Sequence, residues 1–278
     1  MKRVEVNIIW EIQCRRPSKV WLALPIQTLN QKILSLDISK EPEKRINESL
    51  YSYLYFKINN REKISCNLKL ILKKISKYKG IYEGKFLKDN QFLQLEKIKP
   101  LALKLKTPKN FYNWIIKNIL FPKDLHRYLK NLNWTENAWN VLKNKRGECG
   151  GKSLLFVSLC RSVGIPARIV SGYFLKSGKI SLLNAKFNKK SLELHQWAEF
   201  FDGNFWIPVD CSLAQEEKKN YFGKFYDYRI IVSKDMNIKL IKNGYIPFLQ
   251  IGEIKSKSLN SLSNLIIKVE VKDEKDRC

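Results

Sequence analysis

Three side chains in this sequence have the types that nucleophilic catalysis requires: the thiol of Cys149, the imidazole of His195 and the carboxylate of Asp210. A nucleophilic cysteine needs a base, and the base needs a partner that orients it. The chain contains only two histidines, and the other one, His126, has no motif around it. We therefore expect His195 to serve Cys149 as its base, and we treat His126 as a structural or surface residue.

The residues around Cys149 predict a turn that leads into a helix. Gly147 and Gly150 favour a tight and sterically open approach. From Ser153 onward, apolar residues follow helical spacing until Gly164, which is a plausible stop. Cys149 would then occupy the first turn, where the helix dipole favours the thiolate over the thiol. The alternative is a small buried cysteine, which is the usual fate of a lone cysteine.

A β-hairpin is predicted downstream, because Asp202-Gly203 separates two runs rich in aromatic and β-branched residues. If these two residues form the loop, His195 faces Asp210 directly, with Cβ atoms about 4.5–5.5 Å apart. If the loop is Gly203-Asn204, the same two residues become diagonal neighbours on one face. A three-residue loop would put them on opposite faces unless a bulge intervened.

The two faces of this hairpin differ in polarity. One face is mostly apolar, and the other, of mixed character, carries His195, Trp197, Glu199, Trp206, Pro208 and Asp210. We expect the mixed face to form the wall of a cleft under the Cys149 helix. Gly150, Trp197 and Trp206 are the candidates for the substrate cleft. The alternative is that His195 and Asp210 are ordinary surface residues of a strand.

Four blocks that occur in order resemble the core of the transglutaminase-like superfamily. They are Gly147-Glu148-Cys149, the run Arg161–Tyr173, His195-Gln196-Trp197-Ala198-Glu199 and Trp206-Ile207-Pro208-Val209-Asp210. The resemblance covers roughly residues 100–212. It implies Cys149 as the nucleophile, His195 as the general base and acid, and Asp210 as the group that holds His195 in the right tautomer. It also implies a papain-like α+β fold, in which a helix that bears the cysteine packs on an antiparallel sheet.

The sequence departs from the family pattern in two ways. Many relatives have proline after the aspartate, whereas Cys211 follows Asp210 here. Animal transglutaminases use acidic calcium sites, and no comparable cluster of Asp and Glu occurs in this chain. The six cysteines also show neither a CxxC pair nor Cys/His metal spacing. We therefore expect no metal and no other cofactor.

Composition indicates a globular chain with β-rich ends. Of the 278 residues, 44% are hydrophobic and 12% are aromatic, which is typical of a folded protein. Residues 1–90 predict an N-terminal antiparallel β-sandwich-like domain, and 91–215 the catalytic core, with a helix beginning at Thr107-Pro108. Residues 216–278 predict a C-terminal β-rich extension. The Lys-rich segment 176–192 is expected to be a loop near the cleft and a candidate substrate lid.

The net charge of +26 arises mostly from lysines that are scattered through every segment. Dispersed lysine is typical of a solvated surface, and the chain has no recognised nucleic-acid motif and no Arg-rich tract. We therefore do not expect a nucleic-acid partner, although an acidic partner stays open. The sequence shows no signal peptide and no apolar run long enough to cross a bilayer. Cytoplasmic localisation with free thiols is the resulting expectation, and the oligomeric state stays open.

The expected function is that of a transglutaminase-like cysteine enzyme. Such an enzyme would cleave or transfer acyl groups from peptide or glutamine amides through a thioester. For a calcium-independent chain we expect hydrolysis rather than cross-linking, so a peptidase or amidase that acts on a peptide or protein substrate. The alternative is a catalytically silent binding or scaffolding protein with a basic surface. Glycan release, as in the related peptide-N-glycanases, is disfavoured because their zinc-binding Cys pairs are missing.

Overall fold

A computed structural model describes residues 1–14, 16–124, 136–176, 191–256 and 264–273. The predicted lid falls mostly outside these residues, as does His126. The strands are β1 (Lys2–Gln13), β2 (Ser18–Leu24), β3 (Gln31–Ile38), β4 (Lys44–Asn47), β5 (Ser52–Ile58), β6 (Glu62–Leu72), β7 (Tyr78–Lys79), β8 (Ala167–Lys176), β9 (Ser191–Phe201), β10 (Phe205–Val209), β11 (Arg229–Ser233), β12 (Ile238–Leu240), β13 (Gly244–Ile246), β14 (Gly252–Ser256) and β15 (Asn264–Asp273). The helices are a 3-10 helix (Gly84–Leu87), α1 (Leu95–Leu105), α2 (Pro108–Asn118), α3 (Ala138–Asn144), α4 (Cys149–Ser162) and α5 (Cys211–Glu217).

Contacts divide the chain into two compact units. The first, which we name the sandwich unit, consists of residues 1–74, 171–194 and 227–278. The second, which we name the helical unit, consists of residues 75–170 and 195–226. The chain passes between the units within β8 and within β9, so neither unit is a single continuous segment. The division into domains at 1–90, 91–215 and 216–278 stays a prediction from the sequence.

The sandwich unit is built from two antiparallel four-stranded sheets, with strand orders β15-β1-β6-β3 and β14-β2-β5-β4. Burial alternates along β1, where Val4 and every second residue to Ile12 are fully buried. This alternation is typical of a strand with one face on a core. In β2, by contrast, Val20–Leu24 is buried without interruption. The outer side of β2 is covered as well, since the Trp21 indole donates to the carbonyl of Ile241 at 3.0 Å.

The C-terminal strands complete the N-terminal sheets. β15 pairs with β1 along its whole length, and β14 pairs with β2. Without these partners, β1 and β2 would be exposed edges with unpaired backbone groups. The sequence predicted C-terminal strands but left open where they would dock. They are part of the sandwich unit.

The helical unit surrounds one central helix. α4 is buried from Gly150 to Arg161, because α1, α2, α3 and α5 all pack against it. A helix that is apolar all round is expected to be buried in this way. It ends as predicted, with Gly164 in the left-handed region at φ +80°. The predicted cap of α2 is also confirmed, since the Thr107 hydroxyl accepts from the Asn110 N–H at 3.3 Å.

A short antiparallel ribbon completes this unit. β9 pairs with β10, and β10 pairs with β7. The α+β architecture, with a cysteine-bearing helix and antiparallel strands, confirms the predicted fold class. Helix α3 has Asn137 as its N-cap, whose side-chain oxygen accepts from the Asn140 N–H.

Candidate active site

Cys149 is the first residue of α4, as the glycines around it predicted. The residue before it, Glu148, is the N-cap, and its carboxylate bonds two backbone donors of the first turn. Oε2 accepts from the Gly150 N–H at 2.6 Å, and Oε1 accepts from the Gly151 N–H at 2.8 Å. Glutamate is not among the side chains that usually cap helices. The capping role of the Glu148 carboxylate at this helix terminus could therefore not be predicted from the residue type.

The Glu148 carboxylate also contacts the thiol. Cys149 Sγ donates to Glu148 Oε2 at 3.2 Å. Burial raises the pKa of the Cys149 thiol well above its ordinary value, and the Glu148 charge raises it further, while the backbone N–H of Gln196 opposes the shift. The prediction that the helix start favours the thiolate was therefore wrong in direction. The main physical reason is that burial disfavours the charged form of the thiol, and the Glu148 carboxylate in addition neutralises the positive end of the helix dipole.

His195 and Asp210 form a buried hydrogen bond of 2.7 Å between Nε2 and Oδ2. The observed pairing, such as Ile207 with Phe200, makes them diagonal neighbours. Of the two registers considered, the directly opposed one is wrong and the diagonal one is correct. The loop is Gly203-Asn204, and the preceding residue, Asp202, pairs with Phe205.

Side-chain hydrogen bonds explain this register. The Asp202 carboxylate accepts from the Asn204 N–H at 2.9 Å and from the Phe205 N–H at 2.7 Å. Gly203 has φ +104°, which favours glycine. Asp202 therefore forms the last residue pair of the hairpin, with Phe205, and is not part of the loop.

Asp210 has a second structural role. Its other carboxylate oxygen, Oδ1, accepts from the backbone N–H groups of Ser212 and Leu213, at 3.1 and 3.0 Å. Asp210 is thus the N-cap of α5. Because one oxygen caps a helix while the other bonds the imidazole, the orientation of the carboxylate is fixed. The neighbouring Cys211 is buried in the first turn of α5.

Helix α4 packs against the face of β9 that was not expected to meet it. Phe156 of α4 contacts Phe200, with ring centroids 6.0 Å apart. A Cβ on Gly150 would overlap the side-chain oxygen of Gln196, which would have to move. The body of α4 thus contacts the apolar face of β9, whereas the thiol at its start is influenced by Asp210 of the mixed face. Cys149 meets β9 through the backbone N–H of Gln196, the residue that follows His195.

The two tryptophans that the sequence marked as cleft residues are both buried. Trp197 stacks against His195, with ring centroids 6.4 Å apart and planes 22° apart. Trp206 donates from its indole to the carbonyl of Ile81 at 3.0 Å. Their role in a substrate cleft, like that of Gly150, stays a prediction.

A buried ion pair, which the sequence did not predict, joins β8 to β9. Arg168 Nη2 lies 2.9 Å from Glu199 Oε2, and both side chains are almost fully buried. Tyr78 of β7 donates to the same carboxylate oxygen at 2.7 Å. Burial, together with Glu199, raises the pKa of Tyr78. The guanidinium lies over the Trp206 ring at 3.8 Å, so the group braces the strands that carry the candidate site.

A second buried charge lies in the first turn of α4. Lys152 is 1% exposed, and its ammonium donates to Oε1 of Gln215 on α5. The Gln215 amide nitrogen in turn donates to the carbonyls of Ile116 and Ile119, at 2.8 and 3.0 Å. The sequence around Lys152 does not indicate that its side chain is buried, because its hydrogen-bond partner, Gln215, lies 63 residues away in the chain.

Three further properties of the described residues bear on other types of site. No group of three or more His, Cys, Asp or Glu side chains in this part of the chain could hold a metal ion. The cysteines at 14, 66, 149, 160 and 211 are free, and Cys149 alone among these five is partly exposed. No described helix is long and apolar enough to cross a bilayer.

Comparison with known proteins agrees with this architecture. The family model described as transglutaminase-like superfamily matches residues 96–211, a range that contains Cys149, His195 and Asp210. The fold is similar to that of a crystal structure described as a "putative cysteine protease" from Cytophaga hutchinsonii. The two chains share a TM-score of 0.65 and 18% identity, with 99% of this chain and 92% of that chain covered. No curated protein matches the sequence.

These findings define the class of protein. Residues 96–211 match the transglutaminase-like family model, and the fold is similar to that of the bacterial structure. The match confirms the family resemblance inferred from the four sequence blocks. At 18% identity the structural likeness establishes the fold alone.

Proposed function

We propose that this chain is a cysteine enzyme that transfers acyl groups from amide bonds of peptide or protein substrates. Cys149 is the nucleophile, His195 the general base and acid, and Asp210 the group that orients His195. The observation that supports this most is the buried Nε2–Oδ2 bond, because it occupies one imidazole nitrogen and leaves Nδ1 for the thiol. The backbone N–H of Gln196 at the sulfur supports the pairing, since Gln196 is adjacent to His195.

The raised pKa of the thiol determines how the first step runs. Burial and the Glu148 charge keep Cys149 protonated at neutral pH. The sulfur must therefore lose its proton to His195 Nδ1 as the bond between Sγ and the substrate carbonyl carbon forms. This requires the Cys149 side chain to leave Glu148 Oε2. Asp210 stabilises the resulting imidazolium.

The N-cap residue Glu148 limits which backbone N–H groups of α4 can bind the oxyanion. The N–H groups of Gly150 and Gly151 already bond the Glu148 carboxylate. We therefore assign the oxyanion to the backbone N–H of Cys149, the remaining donor at the start of α4. Backbone N–H groups at a helix start are suited to a developing negative charge.

The second half of the reaction uses the same residues in reverse. As the C–N bond breaks, His195 returns its proton to the departing amine and a thioester to Cys149 remains. His195 then takes a proton from water, which attacks the thioester carbonyl and releases the acid and the free thiol. A primary amine in place of water would give a new amide. We favour hydrolysis, as expected for a chain without an acidic calcium site, and the structure of similar fold is itself described as a "putative cysteine protease".

The test is turnover of glutamine-containing peptides with and without a primary amine. Ammonia or peptide fragments without the amine indicate hydrolysis, and amine incorporation indicates transfer. Cys149→Ala should abolish both, whereas Cys160→Ala, in the same helix, should retain activity. Full activity in the Cys149→Ala variant would refute the proposal. Iodoacetamide should label Cys149 ahead of Cys14 and Cys160, which are buried.

One observation favours a second candidate, a catalytically silent binding protein. The Glu148 carboxylate holds the thiol in its protonated form, which is unfavourable for a nucleophile. For such a protein, we expect no turnover on any peptide and no alkylation of Cys149 at pH 8. A stoichiometric complex with an acidic partner would support this candidate, in keeping with the net charge of +26.

A further inference from the structure

The ammonium of Lys152 is a buried charge that the proposed reaction does not use. It is 1% exposed and lies three residues after Cys149 on α4. Residues three apart on a helix are neighbours, with Cβ atoms about 5–6 Å apart. The two side chains therefore start from the same face of the first turns of α4, and the ammonium of Lys152 interacts electrostatically with the thiol.

The environment of this ammonium is unusual for a buried cation. Within the described part of the chain, its hydrogen-bond acceptor is the neutral amide oxygen of Gln215, and it forms no ion pair. The Phe121 ring lies 5.7 Å from Nζ, which adds a weak attraction. Buried charges usually pair with an opposite charge, because desolvation is costly. The thiols that interact with this charge are those of Cys211 and Cys149, and ionisation of Cys149 would supply an opposite charge.

Gln215 fixes where the ammonium lies. Its amide nitrogen uses both hydrogens on the carbonyls of Ile116 and Ile119 at the end of α2. The amide oxygen is thereby directed at Lys152. Because Gln215 belongs to α5, whose N-cap is Asp210, the bond also ties the helix of the nucleophile to the helix capped by the orienting carboxylate.

We propose that Lys152, held by Gln215, is a positioning residue that stabilises the Cys149 thiolate and opposes the effect of Glu148. This inference rests on the proposed role of Cys149 as the nucleophile. Burial lowers the pKa of Lys152, and the nearby anionic groups act against that shift. The ionisable groups near the thiol or the first turn of α4 are Glu136, Glu148, Asp210 and Cys211, and His195 bonds the Asp210 carboxylate.

The test measures the rate at which iodoacetamide alkylates Cys149 in the full chain, resolved by peptide mass spectrometry from pH 7 to 10. Lys152→Met and Lys152→Gln both remove the charge. The first keeps the apolar volume, and replacing a buried ion in this way is often tolerated. The second keeps a donor for Gln215. Lys152→Arg keeps the charge, and Lys143→Met removes an exposed lysine of α3 as the matched control.

Removal of the charge should raise the midpoint of the profile by about one pH unit, so alkylation at pH 8 should be about tenfold slower in both neutral variants. Lys152→Arg and Lys143→Met should react at the wild-type rate. Unfolding temperatures are recorded for all variants, because a purely structural lysine would lower that temperature without moving the profile. Unchanged profiles in both neutral variants, or an equal shift in Lys152→Arg, would overturn the proposal.

This readout needs no substrate, so the two proposals can fail separately. If the wild-type chain turns over peptides but the Lys152 variants are alkylated at the wild-type rate, the proposed reaction stands and the proposed role of Lys152 fails. If the wild-type chain shows no turnover but the alkylation profile shifts in the neutral variants, the proposed reaction fails and the electrostatic effect of Lys152 on the thiol stands.

Discussion

Replacement of Glu148 by glutamine should convert the thiol of Cys149 into a more reactive group. The carboxylate lies 3.2 Å from the sulfur. For two unit charges at that separation, Coulomb's law gives about 1 kcal/mol in a water-like medium and about 5 kcal/mol at an effective dielectric constant near 20. Even the smaller figure corresponds to about one pH unit. We therefore expect Glu148→Gln to lower the thiol pKa by at least about one unit.

The same substitution should weaken the helix. Glu148 caps two backbone donors of α4 and lies at the positive end of its dipole. Loss of an N-cap interaction costs about 1 kcal/mol of unfolding free energy, and loss of the charge at the terminus costs a few tenths more. The variant should thus be less stable and yet more reactive. A nonspecific disturbance of the fold would not be expected to produce that combination.

The assay is the alkylation of Cys149 with iodoacetamide across the pH range, together with chemical unfolding. Glu148→Gln should react at least about tenfold faster at pH 8. The matched control is Asn137→Ala, which removes the cap of α3, where Asn137 accepts from the Asn140 N–H at 2.9 Å. That control should lose similar stability with no change in alkylation. A profile for Glu148→Gln that stays in place or moves to higher pH would refute the electrostatic account of the thiol.

Three further predictions concern stability. Gly172→Ala should lower the unfolding free energy by about 1–3 kcal/mol, because its Cβ would overlap the backbone carbonyl oxygen of Ile230, whereas Gly84→Ala, with open space around it, should be neutral in the same urea titration. Glu199→Gln leaves the buried guanidinium of Arg168 without its anion and should cost about 3–5 kcal/mol by chemical unfolding; a loss below 1 kcal/mol would contradict the buried pair. Burial raises the pKa of Cys66 to about 12, so the stability that the protonated thiol contributes is complete below the unfolded thiol pKa and is lost as pH rises from about 9 toward 12. Cys66→Ala should therefore flatten the alkaline decline of the unfolding free energy by up to about 1.4 kcal/mol per pH unit. An unchanged slope would contradict the raised pKa of Cys66.

Local signals explain why much of the fold could be predicted. The glycines and the apolar run that follows predicted where α4 begins, and Thr107 before Pro108 predicted the start of α2. The Asp-Gly pair predicted the hairpin, but its register depended on whether Asp202 enters the loop or closes the ladder. Two hydrogen bonds from the Asp202 carboxylate decide that point, and they are properties of the folded turn.

The charges around the thiol could not be predicted in the same way. Glu148 is an unusual N-cap residue, so its capping role has no sequence signature. The burial of Lys152 depends on Gln215, and the ion pair of Arg168 depends on Glu199. Each pair is separated by at least 31 residues, and no periodic pattern connects them. Tertiary packing therefore sets the electrostatics of the candidate site, whereas the proposed nucleophile, Cys149, could be identified from the residues next to it.

The start of α4 combines opposite charges on either side of one sulfur. Glu148 precedes Cys149 and opposes ionisation of the thiol, and Lys152 follows it by one turn and favours ionisation. A thiol in such a field stays protonated until a base accepts its proton, because neither charge can move away. In the proposed mechanism, ionisation of the thiol is coupled to the arrival of the sulfur at His195, which bonds the fixed carboxylate of Asp210. Such coupling would let a helix terminus that ordinarily produces a free thiolate carry a nucleophile that is unreactive until it leaves its cap.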